Sequence, residues 1–486
     1  MAIYIRQSNG TYVPIGLDIV TAIKNIEPQY LDLQASLDTG LLTADDIAAY
    51  FNSVIKAQSF DLWANRFNNW LQTELSVNSI ASIFNSSNIS VDTVAGILSS
   101  PYITSTNVTS ILTNLNISLD RLAYIFGSNN FTDPSKIKSV LSSLSANNAQ
   151  YVLRKMVNLG YYDKVLQIMT FDASDLQGTA TYILNGVNRY RYINIGGAYL
   201  PSPGVIFADT ITIGNIYPHS TFGAGGSAGG GGGAGGSSPN GIILLGRKVN
   251  VGTINANGSN GGNASSSSTG GDGGNGGNGA FWLIGSDMPG QGGNGGRALG
   301  TNGSGYYNGG GGGGNDYSNG TGFIAGNGGD SARTTFNTAT DLLNNLFYSI
   351  VDWYIVNVLG KTPSSTIAIP SLGGSGGGGG CVDPLLGGGG GGGGGGSEVI
   401  IYGTNITPGT INANGGNGGN GIASGYGKAF GGGGGGGGVV YVYYVNPYSG
   451  SFTINVNGGA GGSGSGSAYV VPGGSGSAGV YRIIQI

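Results

Sequence analysis

Hydrophobic positions recur along this chain with three periods, and the changes of period divide it into parts. Residues 2–6 and 11–15 are apolar or alternating around Ser8-Asn9-Gly10, which predicts a hairpin. A helical period follows. Thr43 precedes Asp45 and Asp46 as a cap with acids in the first turn, and Ile47, Tyr50 and Phe51 fall on one face. Phe60 to Leu75 places Trp63, Phe67, Trp70 and Leu71 on one side of a second helix. From Ser76 a unit of about 14 residues repeats. Ser76 leads Ile80, Ile83 and Phe84; Ser90 leads Val94, Ile97 and Leu98; Thr106-Asn107 leads Val108, Ile111 and Leu112; Ser118 leads Leu122, Ile125 and Phe126. A fifth copy from Asp133 to Leu141 has slipped by one residue, and weaker copies lie at Val152–Met156 and Val165–Met169. Each unit is too short to be a stable helix alone; stacked neighbours can bury its apolar face, as in a solenoid, and a generic helical domain whose repeat is a trace of duplication is the competing reading.

Beyond about residue 204 the period shortens. Strands of period two are expected at Asp209–Ile216, Gly241–Val249, Ala280–Ile284, Glu398–Tyr402, Val439–Val445 and Gly479–Ile486. Between them the period is three. Asp272, Asn275 and Asn278 are separated by Gly-Gly pairs, as are Asn414, Asn417 and Asn420, and Asn457, Ala460 and Ser463. A backbone helix with three residues per turn is polyproline II, and X-Gly-Gly triplets leave two of its edges bare for close backbone contact. Glycine-only runs such as Gly387–Gly396 and Gly431–Gly438 suit the inside of such a bundle. One phrase is written three times where strand meets triplets: Thr253-Ile254-Asn255, Thr410-Ile411-Asn412 and Thr453-Ile454-Asn455. Flexible linker is the competing reading of glycine-rich sequence. Asn302–Gly329, with Tyr306, Tyr307 and Tyr317, reads as an exposed loop, and Tyr426 lies between two glycine segments.

The helical period returns once, over residues 338–359. Leu343, Phe347, Ile350 and Tyr354 form part of a broad apolar face there. The expectation is that this face buries itself on the glycine lattice or on sister copies, which makes these four residues candidate oligomer contacts. The fold class expected is therefore multi-domain. An attachment region of hairpin and helices spans 1–75, a helical repeat 76–170, and a connector 171–204. A glycine-rich domain of β-strands and polyglycine-II helices spans 205–486, with one inserted α-helix.

Composition narrows the function. Of 486 residues, 101 are Gly and only 9% are charged, against about 25% in ordinary domains. The net charge is −4, so no basic surface for nucleic acid is expected. One Cys (Cys381) and one His (His219) exclude an intrachain disulfide and a Cys/His metal site. No cofactor is implied. The first ten residues lack the pattern of a signal peptide, and no run of about 20 apolar residues predicts a transmembrane helix. Gly-x-Ser-x-Gly matches such as Gly225–Gly229 are the chance product of glycine content, and no catalytic set accompanies them. A carboxylate pair for a cell-wall hydrolase would have to come from acids such as Asp272, Asp287, Asp316 and Asp330. The chain is read as a non-enzyme.

Strands alternating with X-Gly-Gly triplets and long glycine runs, as over Thr410–Val445, resemble the glycine-rich adhesins at the tips of some phage tail fibres. The low-charge Ser/Thr/Asn/Gly/Tyr composition also resembles tail-fibre and spike proteins of archaeal viruses such as spindle-shaped ones. The resemblance covers roughly residues 205–486 and implies a polyglycine-II sandwich whose end loops bind the host. On that footing the chain is expected on the virion exterior, held by tail or adaptor proteins through its helical part. Its glycine-rich part would bind a host surface glycan or glycoprotein, and a fibre would be a homo-oligomer, most simply a trimer. Tyr306, Tyr307, Tyr317 and Tyr426 are the candidate receptor contacts. A structural protein of an extracellular filament or sheath, without receptor, is the alternative.

Overall fold

The computed structural model describes residues 33–73, 75–201, 204–218, 241–263, 338–365, 390–423, 428–465 and 469–486, and the short strands Ile3–Arg6, Tyr12–Ile15, Phe281–Ile284, Arg333–Phe336 and Gly387–Gly388. It divides into two compact units. One is Met1–Phe171 with Asn344–Ala368; the other is Asp172–Leu343 with Ile369–Ile486.

The first unit is helical after an antiparallel pair, β1 (Ile3–Arg6) and β2 (Tyr12–Ile15), which is the hairpin expected. Its helices are α1 (Leu33–Asp38), α2 (Ala44–Val54), α3 (Phe60–Thr73), α4 (Val77–Asn85) and α5 (Val91–Ser99). They continue with α6 (Ser105–Leu112), α7 (Leu119–Gly127), α8 (Pro134–Ser143), α9 (Ala146–Asn158) and α10 (Tyr162–Thr170). Side-chain caps start most of them. Thr43 and Asp46 form a capping box, and Ser76, Ser90, Thr104, Ser118, Asp133 and Ser145 each accept a first-turn N–H. For α6 the cap is Thr104, two residues before the motif read from sequence.

From α2 to α10 every helix packs against the helix two places further on, so the chain alternates between two stacks. A polar ladder holds each stack in register. Ser86, Ser100 and Ser128, at helix ends, donate to Asp45, Asp61 and Asp92 at 2.5–2.6 Å. Asn88 and Asn130 then donate to the carbonyls of Asp45 and Asp92. Half-buried and buried cations close the carboxyl ends of helices: Arg121 donates to Phe84, Ser86 and Ile89 carbonyls, and Lys136 to those of Leu98 and Ser100. Gly96 is required by packing, since a Cβ there would lie 2.2 Å from the Phe60 ring; Gly127 meets Tyr161 in the same way.

The insertion is α11 (Ala339–Asn357). Leu343, Phe347, Ile350 and Tyr354 are all buried, at 0–2% exposure, within a single chain. This corrects the expectation of an oligomer contact. From Asn344 onward α11 belongs to the helical unit, not to the glycine-rich one. Phe347 packs on Tyr162 with ring centroids 4.9 Å apart, and the Tyr162 hydroxyl donates to Asn344. Asp352, 2% exposed, accepts from Arg154 at 2.5 Å and from Gln150 at 2.6 Å. Lys361 then donates to the Leu141 and Leu144 carbonyls at the end of α8, as Lys136 does to the carbonyls at the end of α5. The returning segment therefore covers the end of the helical stack, which a stack of amphipathic units needs.

The second unit is built on a parallel sheet. Its long strands are β3 (Asp175–Ile183), β4 (Val187–Leu200), β5 (Gly204–Pro218), β6 (Ile242–Asn255), β7 (Glu398–Thr407), β9 (Val439–Tyr444) and β11 (Val480–Gln485), which lie side by side in chain order. Two short strands, β8 (Thr410–Asn412) and β10 (Thr453–Asn455), continue the rows beyond β6. Residues 171–204, expected as a connector, instead supply β3 and β4. Register aligns like with like. Ile206, Leu244, Ile401 and Val442 are neighbours on one face; Phe207, Leu245, Tyr402 and Tyr443 are neighbours on the other. All eight are 2% exposed or less. Burial of both faces is the usual condition of a parallel sheet and explains why these strands read as continuous apolar runs.

Candidate binding face of the glycine-rich unit

The three Thr-Ile-Asn phrases are paired directly. Thr253, Thr410 and Thr453 are register partners, as are Ile254, Ile411 and Ile454, and Asn255, Asn412 and Asn455. Each phrase leads into a glycine segment, giving three neighbouring rows: 256–263, 413–420 and 456–463.

One triplet shows how a row is held. The Asn414 N–H donates to the side-chain Oδ1 of Asn257 in the preceding row, at 2.8 Å. The Gly415 N–H donates to the Asn457 carbonyl in the following row, at 2.8 Å, and the Gly416 N–H to the carbonyl of Gly394 at 2.7 Å. All three donors of the triplet are satisfied in three directions, although none is bonded within its own segment. The pattern repeats every third residue. Gly418 and Gly421 donate to Ala460 and Ser463, and Gly419 donates to Gly391. The glycine runs 390–396 and 431–438 form a second set behind the rows, running antiparallel to them: Gly391 and Gly394 donate to Gly262 and Ser259, and Gly432, Gly435 and Gly438 to Gly419, Gly416 and Ala413.

Side chains are excluded from two of every three positions. A Cβ on Gly415 would lie 2.0 Å from the Gly435 carbonyl oxygen, and on Gly416 2.0 Å from that of Ser259. The third position faces outward. Asn260, Asn263, Asn417, Asn420, Asn457, Ala460 and Ser463 are exposed, while both glycine runs are buried.

The outward asparagines do two things. Their Oδ1 atoms accept backbone N–H groups across rows: Asn260 from Asn417, Asn263 from Asn420, Asn417 from Ala460, and Asn420 from Ser463, at 2.7–2.9 Å. Their Nδ2 groups, at these four exposed positions, have no partner among the described residues. The three rows carry no charged residue. Sequence reasoning found the asparagine edge but not the ladder, whose partners lie 157 and 43 residues apart.

A second polar-aromatic feature sits at the turn after β9. Tyr448 packs edge-on against Tyr444 and Phe452, with centroids 4.9 and 5.6 Å away, and Asn446 donates to Asn405. Partial burial, and then the neighbouring Tyr444, push the Tyr448 hydroxyl up. Behind the rows, Glu398 is fully buried and neither carboxylate oxygen has a hydrogen-bond partner. Burial pushes its carboxyl well above the ordinary 4.5.

Tyr306, Tyr307, Tyr317 and Tyr426 lie outside the described residues, as do Cys381, His219 and the acids Asp272, Asp287, Asp316 and Asp330. Among the described residues no cluster of His, Cys, Asp and Glu is placed to hold a metal, and no helix is long and apolar enough to cross a membrane. Comparison with known proteins returned no matching family model, no matching curated protein and no matching solved structure.

Proposed function

We propose that this chain is a virion structural protein, a tail fibre or spike, that attaches its particle to the host surface through the glycine-rich unit. The observation that carries the reading is the closed hydrogen bonding of the triplets, with uncharged asparagines outward. In this reading the rows 256–263, 413–420 and 456–463 and the runs behind them are polyglycine-II helices in a sandwich. The 14-residue helix spacing is a solenoid that docks on tail or adaptor proteins. A rigid, uncharged, outward face suits a surface adhesin: it resists unfolding without relying on charge and presents donors at fixed positions. The protein acts by binding and not by catalysis. It works as a homo-oligomer, most simply a trimer, whose contacts lie elsewhere than the buried face of α11.

Immunogold labelling of purified particles, together with competition by the full-length chain, tests this. Label at one end of a fibre and inhibition of infection are expected. Label absent from particles, or no inhibition at saturating protein, would contradict it.

One observation favours the filament alternative. The edge strand β11 leaves Tyr481 51% and Ile483 37% exposed and has no proline, with Arg482 its one charged residue. That reading predicts self-assembly of the isolated chain into polymers, and uniform label along a fibre.

A further inference from the structure

Within the adhesive reading, and resting on it, the structure assigns the ligand-binding surface to the asparagine rows and its ligand to a neutral, hydroxyl-rich polysaccharide. Four Nδ2 groups, on Asn260, Asn263, Asn417 and Asn420, are exposed while the Oδ1 atom of each is tied into the ladder. Tying the oxygen fixes which end of each amide faces out, so the donors are oriented before any ligand arrives. Each amide thus loses little freedom on binding. Their spacing is regular: about 9 Å along a row, from three residues at about 3.1 Å each, and about 4.8 Å between hydrogen-bonded rows. A rigid array with two repeats matches a ligand that repeats, and only weakly one that does not.

The chemistry selects among repeating ligands. The rows hold no Lys or Arg, so a polyanion finds no counter-charge. The outward positions carry Asn and Ser with the single small methyl of Ala460, too little apolar surface for a lipid or a hydrophobic helix. The N–H groups of the middle row, 413–420, are all paired with the rows on either side and the run behind, so an extended peptide cannot insert there as a strand. Outward amide donors beside Ser463 suit sugar hydroxyl and ring oxygens. The third row ends the array, since Ala460 and Ser463 replace asparagine there.

Full-length protein co-sedimented with insoluble chitin, cellulose and mannan, with alginate beads as the anionic comparison, gives the test. The informative variant is Asn260→Asp/Asn417→Asp/Asn420→Asp. Aspartate keeps the Oδ1 acceptor that the ladder uses and removes the outward donor. Saturable binding to at least one neutral polysaccharide, weakened tenfold or more in the triple variant with an unchanged melting temperature, is expected. If the triple variant does not fold, the single Asn417→Asp and the shift of the Asn417 and Asn420 side-chain amide resonances on adding soluble oligosaccharide replace it. Parent-level binding by a folded variant overturns the assignment. So does binding to alginate alone, binding to none of the four, or thermal hysteresis without polysaccharide binding, which would mark the array as an ice-binding face. A triple variant that still adheres to host cells at parent level sinks this assignment alone. A parent chain that adheres to none sinks the adhesive reading.

Discussion

Single residues carry unequal weight in the glycine-rich unit. Gly416 and Asn417 are adjacent, yet their substitutions should differ widely. Gly416→Ala puts a methyl 2.0 Å from the Ser259 carbonyl oxygen, and the only relief is to separate two hydrogen-bonded backbones. A loss exceeding about 4 kcal/mol is expected, in the range kept for disrupted cores. Asn417→Ala removes one acceptor for the Ala460 N–H at a solvated position and should cost only about 1 kcal/mol. Denaturant melts of the two variants decide this, and equal losses would refute the packing argument. Glu398 makes a second residue-scale prediction. Its carboxyl is raised in the fold relative to the unfolded chain, so the folded state binds more protons between the two values. Stability is therefore greatest below the unfolded value near 4.5 and falls as pH rises towards the folded one. Glu398→Gln should flatten that fall and raise the melting temperature at pH about 8. A variant whose pH profile matches the parent would show that Glu398 is not the source.

Elements show where local sequence was enough and where it was not. Ser76, Ser90 and Ser118 were legible as caps because a cap and its helix lie within four residues of each other. The hairpin around Ser8-Asn9-Gly10 was legible for the same reason. The strands from Glu398 and Val439 were visible because parallel strands buried on both faces are nearly all apolar. Residues 175–200 were passed over because β3 is mostly exposed and β4 mixes Arg189 and Arg191 into its run. The triplets were legible as segments, but their partners were not. Asn417 meets Asn260 across 157 residues, and no local pattern encodes that distance. The same limit hid the place of α11. Its apolar face was plain in the sequence, whereas its partners, Gln150, Arg154 and Tyr162, lie some 180–200 residues earlier. Asp352→Ala should leave Arg154 without its buried partner and lower the stability of the helical unit. The loss is expected at the lower end of about 3–5 kcal/mol, since Arg154 keeps some solvent access. Circular dichroism melts would read it, and an unchanged melt would show that α11 does not brace the stack.

At the scale of the whole molecule, two kinds of cohesion coexist. The helical unit is held by buried apolar side chains, such as the cluster of Phe51, Phe67, Trp63 and Trp70, with caps and a Ser–Asp ladder setting register. The glycine-rich rows bury almost no side chains and are held by backbone hydrogen bonds in three directions. The entropy cost of ordering so much glycine is large, and the sheet offsets it by fixing the entry of each row through β6, β8 and β10. Everything proposed about the outward asparagines depends on that order. Amide hydrogen exchange on the full-length protein measures it most directly. The amides of residues 390–396, 413–421 and 431–438 should be protected as strongly as those of β7 and β9, and lose protection together with them. Exchange of these glycine amides at the rate of an unfolded chain, with β7 and β9 still protected, would contradict the account.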